Sequence, residues 1–157
     1  MPGRIYSAQF NGVAATAQQD LFEIVAPADS VVELLELHIS NLTEVGDAAE
    51  EMLLILIKKG ATTSGSGGSA PTAIPHQLGD AAFGGTCEVN NTTKATAGTI
   101  VTHEAHNWNI RAPFMRIWTP EATLIISPSA RLTVELATTP ADSVTLAGTA
   151  IFREIGG

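Results

Sequence analysis

The last quarter of the chain alternates polar and apolar residues almost without interruption, and this period of two constrains the fold more than any other feature. Arg131-Leu-Thr-Val-Glu-Leu136 alternates throughout, and Val144-Thr-Leu-Ala-Gly-Thr-Ala-Ile-Phe152 follows across a turn at Pro140-Ala-Asp-Ser143. Successive side chains of a strand point to opposite faces. Such segments therefore belong to sheets with one face packed and the other against water or a partner.

The same reading extends upstream. Ile5 to Phe10 is a short strand ended by the turn pair Asn11-Gly12, and Val13 to Val25 is a second, with Leu21, Glu23 and Val25 on one face and Phe22 and Ile24 on the other. Pro27-Ala-Asp-Ser30 turns the chain into Val31–Asn41, where Leu35, Leu37 and Ile39 share one face and Glu36, His38 and Ser40 the other. Met52–Lys59 has no polar relief before its lysines and reads as a strand covered on both sides. A helix over Glu44–Lys59 is the rival, but Gly46-Asp47 interrupts it and Ile55 and Ile57 suit a strand, so a wet loop up to about Glu50 is preferred. Later strands are Gly98–His103, Trp108–Arg111, Phe114–Trp118 and Ala122–Ile126, kept short by Pro113, Pro120 and Pro128. Between eight and ten strands with no repeated helix predict an all-β protein: an antiparallel β-sandwich, jelly-roll-like, with an immunoglobulin-like arrangement as the alternative.

Length and composition predict a single β-sandwich domain over residues 1–157, carrying a long Gly/Ser/Thr-rich excursion around residues 61–99. Ala61–Pro75 has almost no large side chains, so a surface loop, or an arm ordered by a neighbour, is expected there. Sixteen acids against eight bases leave a net charge of -8, which points away from nucleic acid and toward an outward-facing position. Met1-Pro-Gly-Arg-Ile has no apolar signal stretch and no run reaches membrane-spanning length, so folding in a cytoplasm without a membrane partner is expected. The lone Cys87 reads as a small buried hydrophobe.

Candidate chemistry is sparse. His103 and His106 are the nearest approach to a metal pair, but positions three apart on a strand face opposite sides, and no Cys or further His lies nearby. A cupin-like enzyme would need these to converge with His38 and His76 inside the sandwich. Gly65-Ser-Gly-Gly68 lacks the helix and lysine of a phosphate loop, and Ser64, Ser66 and Ser69 have no base at a useful spacing. Glu33, Glu36 and Glu135 form a carboxylate pair only if strands bring them together; otherwise they are a solvated face. Asn41-Leu-Thr43 and Asn91-Thr-Thr93 match the glycan acceptor pattern but read as turns. A glycan-binding module would need Tyr6, Trp108 and Trp118 as exposed rings. No catalytic residue, metal site or cofactor is predicted.

Arg111, Arg116, Arg131 and Arg153 lie in or beside the late strands, and Arg and Trp are enriched in well-packed interfaces. Trp108, Arg116, Trp118 and Arg153 are the candidate interface residues. Ile151-Phe-Arg-Glu-Ile155 close to the C-terminus reads as an edge strand guarded by Arg153 and Glu154.

The start Met1-Pro-Gly-Arg-Ile-Tyr6, the acidic Ala/Thr/Gly-rich composition, the strand series Phe114–Trp118 through Leu132–Leu136 and the ending Ala150–Ile155 together resemble the capsid decoration (cement) and head-associated proteins of tailed bacteriophages. The resemblance implies a non-enzymatic virion structural protein on the capsid surface. It implies binding to the major capsid protein of the assembled shell as a homo-oligomer, with a trimer favoured. A tail or head–tail adaptor protein is the alternative within the same kind of particle.

Overall fold

The computed structural model describes residues 3–42 and 50–156. The strands are β1 (Arg4–Ala15), β2 (Gln19–Val25), β3 (Ser30–Asn41), β4 (Met52–Thr63), β5 (Ile74–Pro75), β6 (Thr86–Asn91), β7 (Thr96–Asn109), β8 (Phe114–Ile117), β9 (Leu124–Ile126), β10 (Arg131–Leu136) and β11 (Val144–Gly156). They form two sheets, all pairings antiparallel. A six-stranded sheet has the order β5-β1-β11-β3-β8, with β9 also on β3, and a five-stranded sheet has the order β6-β2-β10-β4-β7. The two pack face to face as a sandwich. No helix occurs among the described residues, so the helical rival over Glu44–Lys59 is overturned from Met52 onward; the expected loop at 43–49 lies outside the described residues.

Alternation places the core. Tyr6, Ala8 and Phe10 of β1, Leu37 and Ile39 of β3, and Val144, Leu146, Ala150 and Phe152 of β11 point inward from one sheet. Phe22 and Ile24 of β2, Leu53, Ile55 and Ile57 of β4, and Leu132, Val134 and Leu136 of β10 meet them from the other. Each such Val, Leu, Ile or Phe side chain contributes roughly 1.5–3 kcal/mol relative to exposure. Rings join the layers: Phe10 of β1 lies 5.2 Å from Phe22 of β2. Gly148 makes room for that pair, because a Cβ there would stand 2.6 Å from the Phe10 ring.

Several boundaries differ from the sequence reading. Asn11-Gly12 is not a hairpin turn but a bulge within β1: pairing with β11 resumes at Val13, and Gly12 supplies the positive φ of 68°. The true break is at Thr16–Gln18, after which the chain crosses to the other sheet. In β3, Leu35 is the extra residue of a bulge opposite Ile151/Phe152, so Leu34, not Leu35, is fully buried. Leu54 and Leu56 of β4 are half-buried, so that strand is covered on one face and only partly on the other. His103 and Trp108 belong to one continuous strand, β7. The last strand is not an edge. β11 sits between β1 and β3 at the centre of its sheet, Arg153 pairs with Glu33, and Glu154 is buried.

The Gly/Ser/Thr-rich excursion is largely ordered against its own chain. It contains β5 and β6, and between them and β4 the backbone of Ser66 bridges Thr93 while Ser69 bridges Val89. Glycine permits this close approach: a Cβ on Gly68 would lie 2.1 Å from the Val89 carbonyl oxygen. The residues are small because the backbone itself packs.

Candidate functional site

Each sheet has an outer face, and the two are treated differently. Over β2 and β6 of the five-stranded sheet the segment Ser64–Ser69 lies as a strap, fastened chiefly by the buried carboxylate of Glu23. Glu23, only 1% exposed, accepts hydrogen bonds from Ser64 Oγ (2.6 Å), the Gly65 amide (2.9 Å), Asn91 Nδ2 (3.3 Å) and Arg131 Nε (2.5 Å). Arg131 also donates to the Ala61 carbonyl at 3.0 Å. Beside this hub, Glu135 accepts from both Lys58 and Lys94. Burial pushes its carboxyl up, but the hydrogen bonds and charges of the two lysines outweigh that and hold it below the ordinary range. Asp20 accepts from the Ala95 amide at 2.7 Å. Its burial, with Glu135 and Glu23 nearby, lifts its carboxyl to about 6.

Among the described residues the outer face of the six-stranded sheet carries no such strap. Its side chains stand in rows across the strands. Ile5, Arg153, Glu33 and Ile125 form one row over β1, β11, β3 and β9. Ser7, Ile151, Glu36 and Ile117 form the next, extended by Ile74 of β5. Gln9, Thr149, His38 and Met115 form a third. Arg153 Nε donates to Glu33 Oε2 at 2.9 Å, and His38 lies 3.0 Å from Glu36. Ile74, Met115, Ile117 and Ile125 are all exposed. At the third row a groove of about 480 Å3 opens, lined by Gln9, His38, Met115 and Thr149 together with Asn11 and Ala147. Exposed isoleucines and Met115 here surround a central ion pair of Arg153 and Glu33.

Of the four candidate interface residues, only Arg153 lies on this open face. Trp108 is buried, its Nε1–H donating to the Ala112 carbonyl at 2.5 Å. Trp118 is also buried, and Arg116 stands over its ring at 5.1 Å. Both belong to a clasp between the sheets at one edge, centred on Glu104 of β7. Glu104 accepts from Arg116 Nε (3.0 Å) and Trp118 Nε1 (2.6 Å), and His106 Nε2 lies 2.8 Å away. Partial burial pushes Glu104 up, but the bonds from Arg116, Trp118 and His106 and the guanidinium charge overcome this and leave it at about 2. Glu104 escaped the sequence reading because it sits inside the apparent His103/His106 motif. Its strand parity, opposite to His103, was the available signal. Glu23 was equally hidden, since only the strap's position makes it a hub, and Asp20 likewise depends on the Ala95 amide, far away in sequence.

Other candidates resolve differently. His103 is exposed and His106 engages Glu104, while His38 is on the outer face of the other sheet and His76 follows β5, so the four histidines do not converge. Among the described residues no group of three His, Cys, Asp or Glu side chains is placed to hold a metal ion. Glu33 and Glu36 lie on one sheet and Glu135 on the other, so they form no common carboxylate site. Asn91 is buried against Glu88 and Glu23, and Tyr6, Trp108 and Trp118 are core residues that present no ring platform to a glycan. Cys87 is buried in apolar surroundings that push its thiol up to about 12, leaving it protonated and unreactive.

No family model matches the chain, and no curated protein is detectably similar to it in sequence.

Proposed function

We propose that this chain is a non-enzymatic virion structural protein, a decoration protein that lays the open face of its six-stranded sheet on the assembled shell of a tailed phage. The observation that carries the reading is the asymmetry of the outer faces. One is covered over β2 and β6 by the chain's own strap, and the other is left with isoleucines and an ion pair in rows. The acidic balance supports an outward position over contact with packaged nucleic acid.

The finer fold assignment belongs to the same proposal. The run β1-β11-β3-β8 facing β2-β10-β4-β7, with consecutive long strands crossing between sheets, supports a jelly roll over an immunoglobulin-like order. A rigid slab of this kind suits shallow, repeated contacts. Each copy would add a modest amount, and occupancy over the particle would follow from multivalency within a closed homo-oligomer. The major capsid protein is the partner and the capsid surface the location that this reading entails.

The test is co-sedimentation with shells of the major capsid protein from the same virus. Ile117→Lys with Ile125→Lys changes two side chains that are already 54% and 50% exposed, so folding is expected to survive. Wild-type protein should pellet with the shells and the double variant should remain in the supernatant. Equal behaviour of the two would remove the open face from the proposal, and failure of both to bind would remove the shell.

A further inference from the structure

A two-sheet sandwich has four lateral edges, and three of them are guarded here. On β1 the guard is β5, only two residues long and ending in Pro75. On β3 it is the pair of short strands β8 and β9, separated by a segment containing Pro120. On β6 the chain caps itself: Ser69 and Val89 exchange both backbone hydrogen bonds, at 3.0 and 2.8 Å, and Ser66 and Thr93 do the same at 2.9 and 3.0 Å. Short strands, prolines and covering segments are the devices by which proteins prevent strand addition.

The fourth edge, β7, has none of these. It runs for 14 residues, pairs among the described residues only with β4, and every residue from Thr96 to His103 is exposed. That stretch, Thr-Ala-Gly-Thr-Ile-Val-Thr-His, contains no Pro, Lys, Arg, Asp or Glu, and Thr99–Thr102 is an unbroken β-branched run with Ile100 and Val101 both exposed. Bulges at His103 and around Thr99–Ile100, with positive φ at Ala97 and Gly98, twist the strand and so blunt its edge in part, but they do not cover it. Its neighbour is thin as well. β10 stops pairing with β4 at Lys59, so Gly60–Thr63 and Thr96–Ile100 form a two-stranded ribbon, an arrangement that gains greatly from a third strand.

We propose that the free edge of β7 takes the β7 of a second copy, antiparallel about a two-fold axis, joining two five-stranded sheets into one of ten strands. The occupant follows from the inventory of edges. Among the described residues β7 is the one long edge left open, and an isologous contact brings that edge to itself. The exposed stretch carries no fixed charge, so self-pairing sets no like charges opposite each other. This surface is separate from the open face assigned to the shell. Its two-fold symmetry also differs from the trimer that the family resemblance implies.

Sedimentation equilibrium and amide hydrogen exchange on the full chain test the proposal, comparing wild type with Ile100→Lys/Val101→Lys. Wild type should sediment as two chains, with slow-exchanging amides within Thr96–His103. The double-lysine variant should associate at least tenfold more weakly and exchange those amides faster, with its core amides unchanged. A wild-type monomer, a trimer, or a dimer whose β7 amides exchange as fast as the variant's would overturn it.

Discussion

Replacing Asp20 by Asn should stabilise the protein, and only where the carboxylate is ionised. The Asp20 side chain is 2% exposed and accepts one backbone hydrogen bond, from the Ala95 amide, and its carboxyl stands at about 6 against an ordinary 3.8. A group whose folded pKa is raised favours folding fully below its unfolded value and loses that contribution as pH rises through the folded one. For Asp20 the favourable contribution is therefore present below 3.8, declines across the window to about 6, and is gone above it. Two pKa units correspond to about 3 kcal/mol, and residual solvent screening lowers the usable figure to about 2 kcal/mol. An asparagine side chain at this position would keep the acceptor oxygen for the Ala95 amide and remove the charge. Urea unfolding at pH 7.5 should show Asp20→Asn more stable by about 2 kcal/mol at unchanged m-value, and at pH 3.5 the gain should shrink to a few tenths. A gain independent of pH, or a loss at pH 7.5, would refute the argument that the fold tolerates an ionised buried carboxylate at Asp20.

Trp118→Phe keeps an aromatic ring but deletes the donor to Glu104; unfolding experiments should show a loss of about 1–2 kcal/mol, and titration by NMR should find the Glu104 carboxyl moved upward. Because the folded Glu104 carboxyl is depressed to about 2, its stabilisation is present above its ordinary 4.5 and disappears as pH falls toward 2, so wild type should lose stability more steeply than the variant in that window. Gly148→Ala drives a methyl to within 2.6 Å of Phe10 and should cost about 1–3 kcal/mol, read as a lowered melting temperature.

Legibility in the sequence followed the range of the interactions. β10 and β11 were readable because alternation is local, and their inward residues Leu132, Val134, Leu136, Leu146 and Phe152 are those found in the core. Asn11-Gly12 was misread because a turn pair and a glycine bulge need the same positive φ; only the continued pairing of β1 with β11 tells them apart. The strap was illegible for a different reason. A run of glycine and serine has no side-chain signal, and its anchor Glu23 is distant in sequence. Trp108 and Trp118 look like interface residues by type, yet their indole N–H groups find acceptors within the chain, which composition does not reveal. The open face was half-visible: its polar members Glu36 and His38 were placed together on one side of β3, while the isoleucines beside them came from strands whose neighbours alternation does not specify.

The position of β11 has a consequence for biosynthesis. Its slot lies between β1 and β3, both made long before it. At roughly 5–20 residues per second of translation, β3 waits on the order of 5–20 s for its central neighbour. During that interval two long, unsatisfied hydrogen-bonding ladders flank a vacancy that any passing strand of matching pattern can enter. A nascent chain filled by another molecule's Val144–Gly156 would be a domain-swapped product. A high concentration of chains should therefore enrich such intertwined species, and lowering the expression level should deplete them.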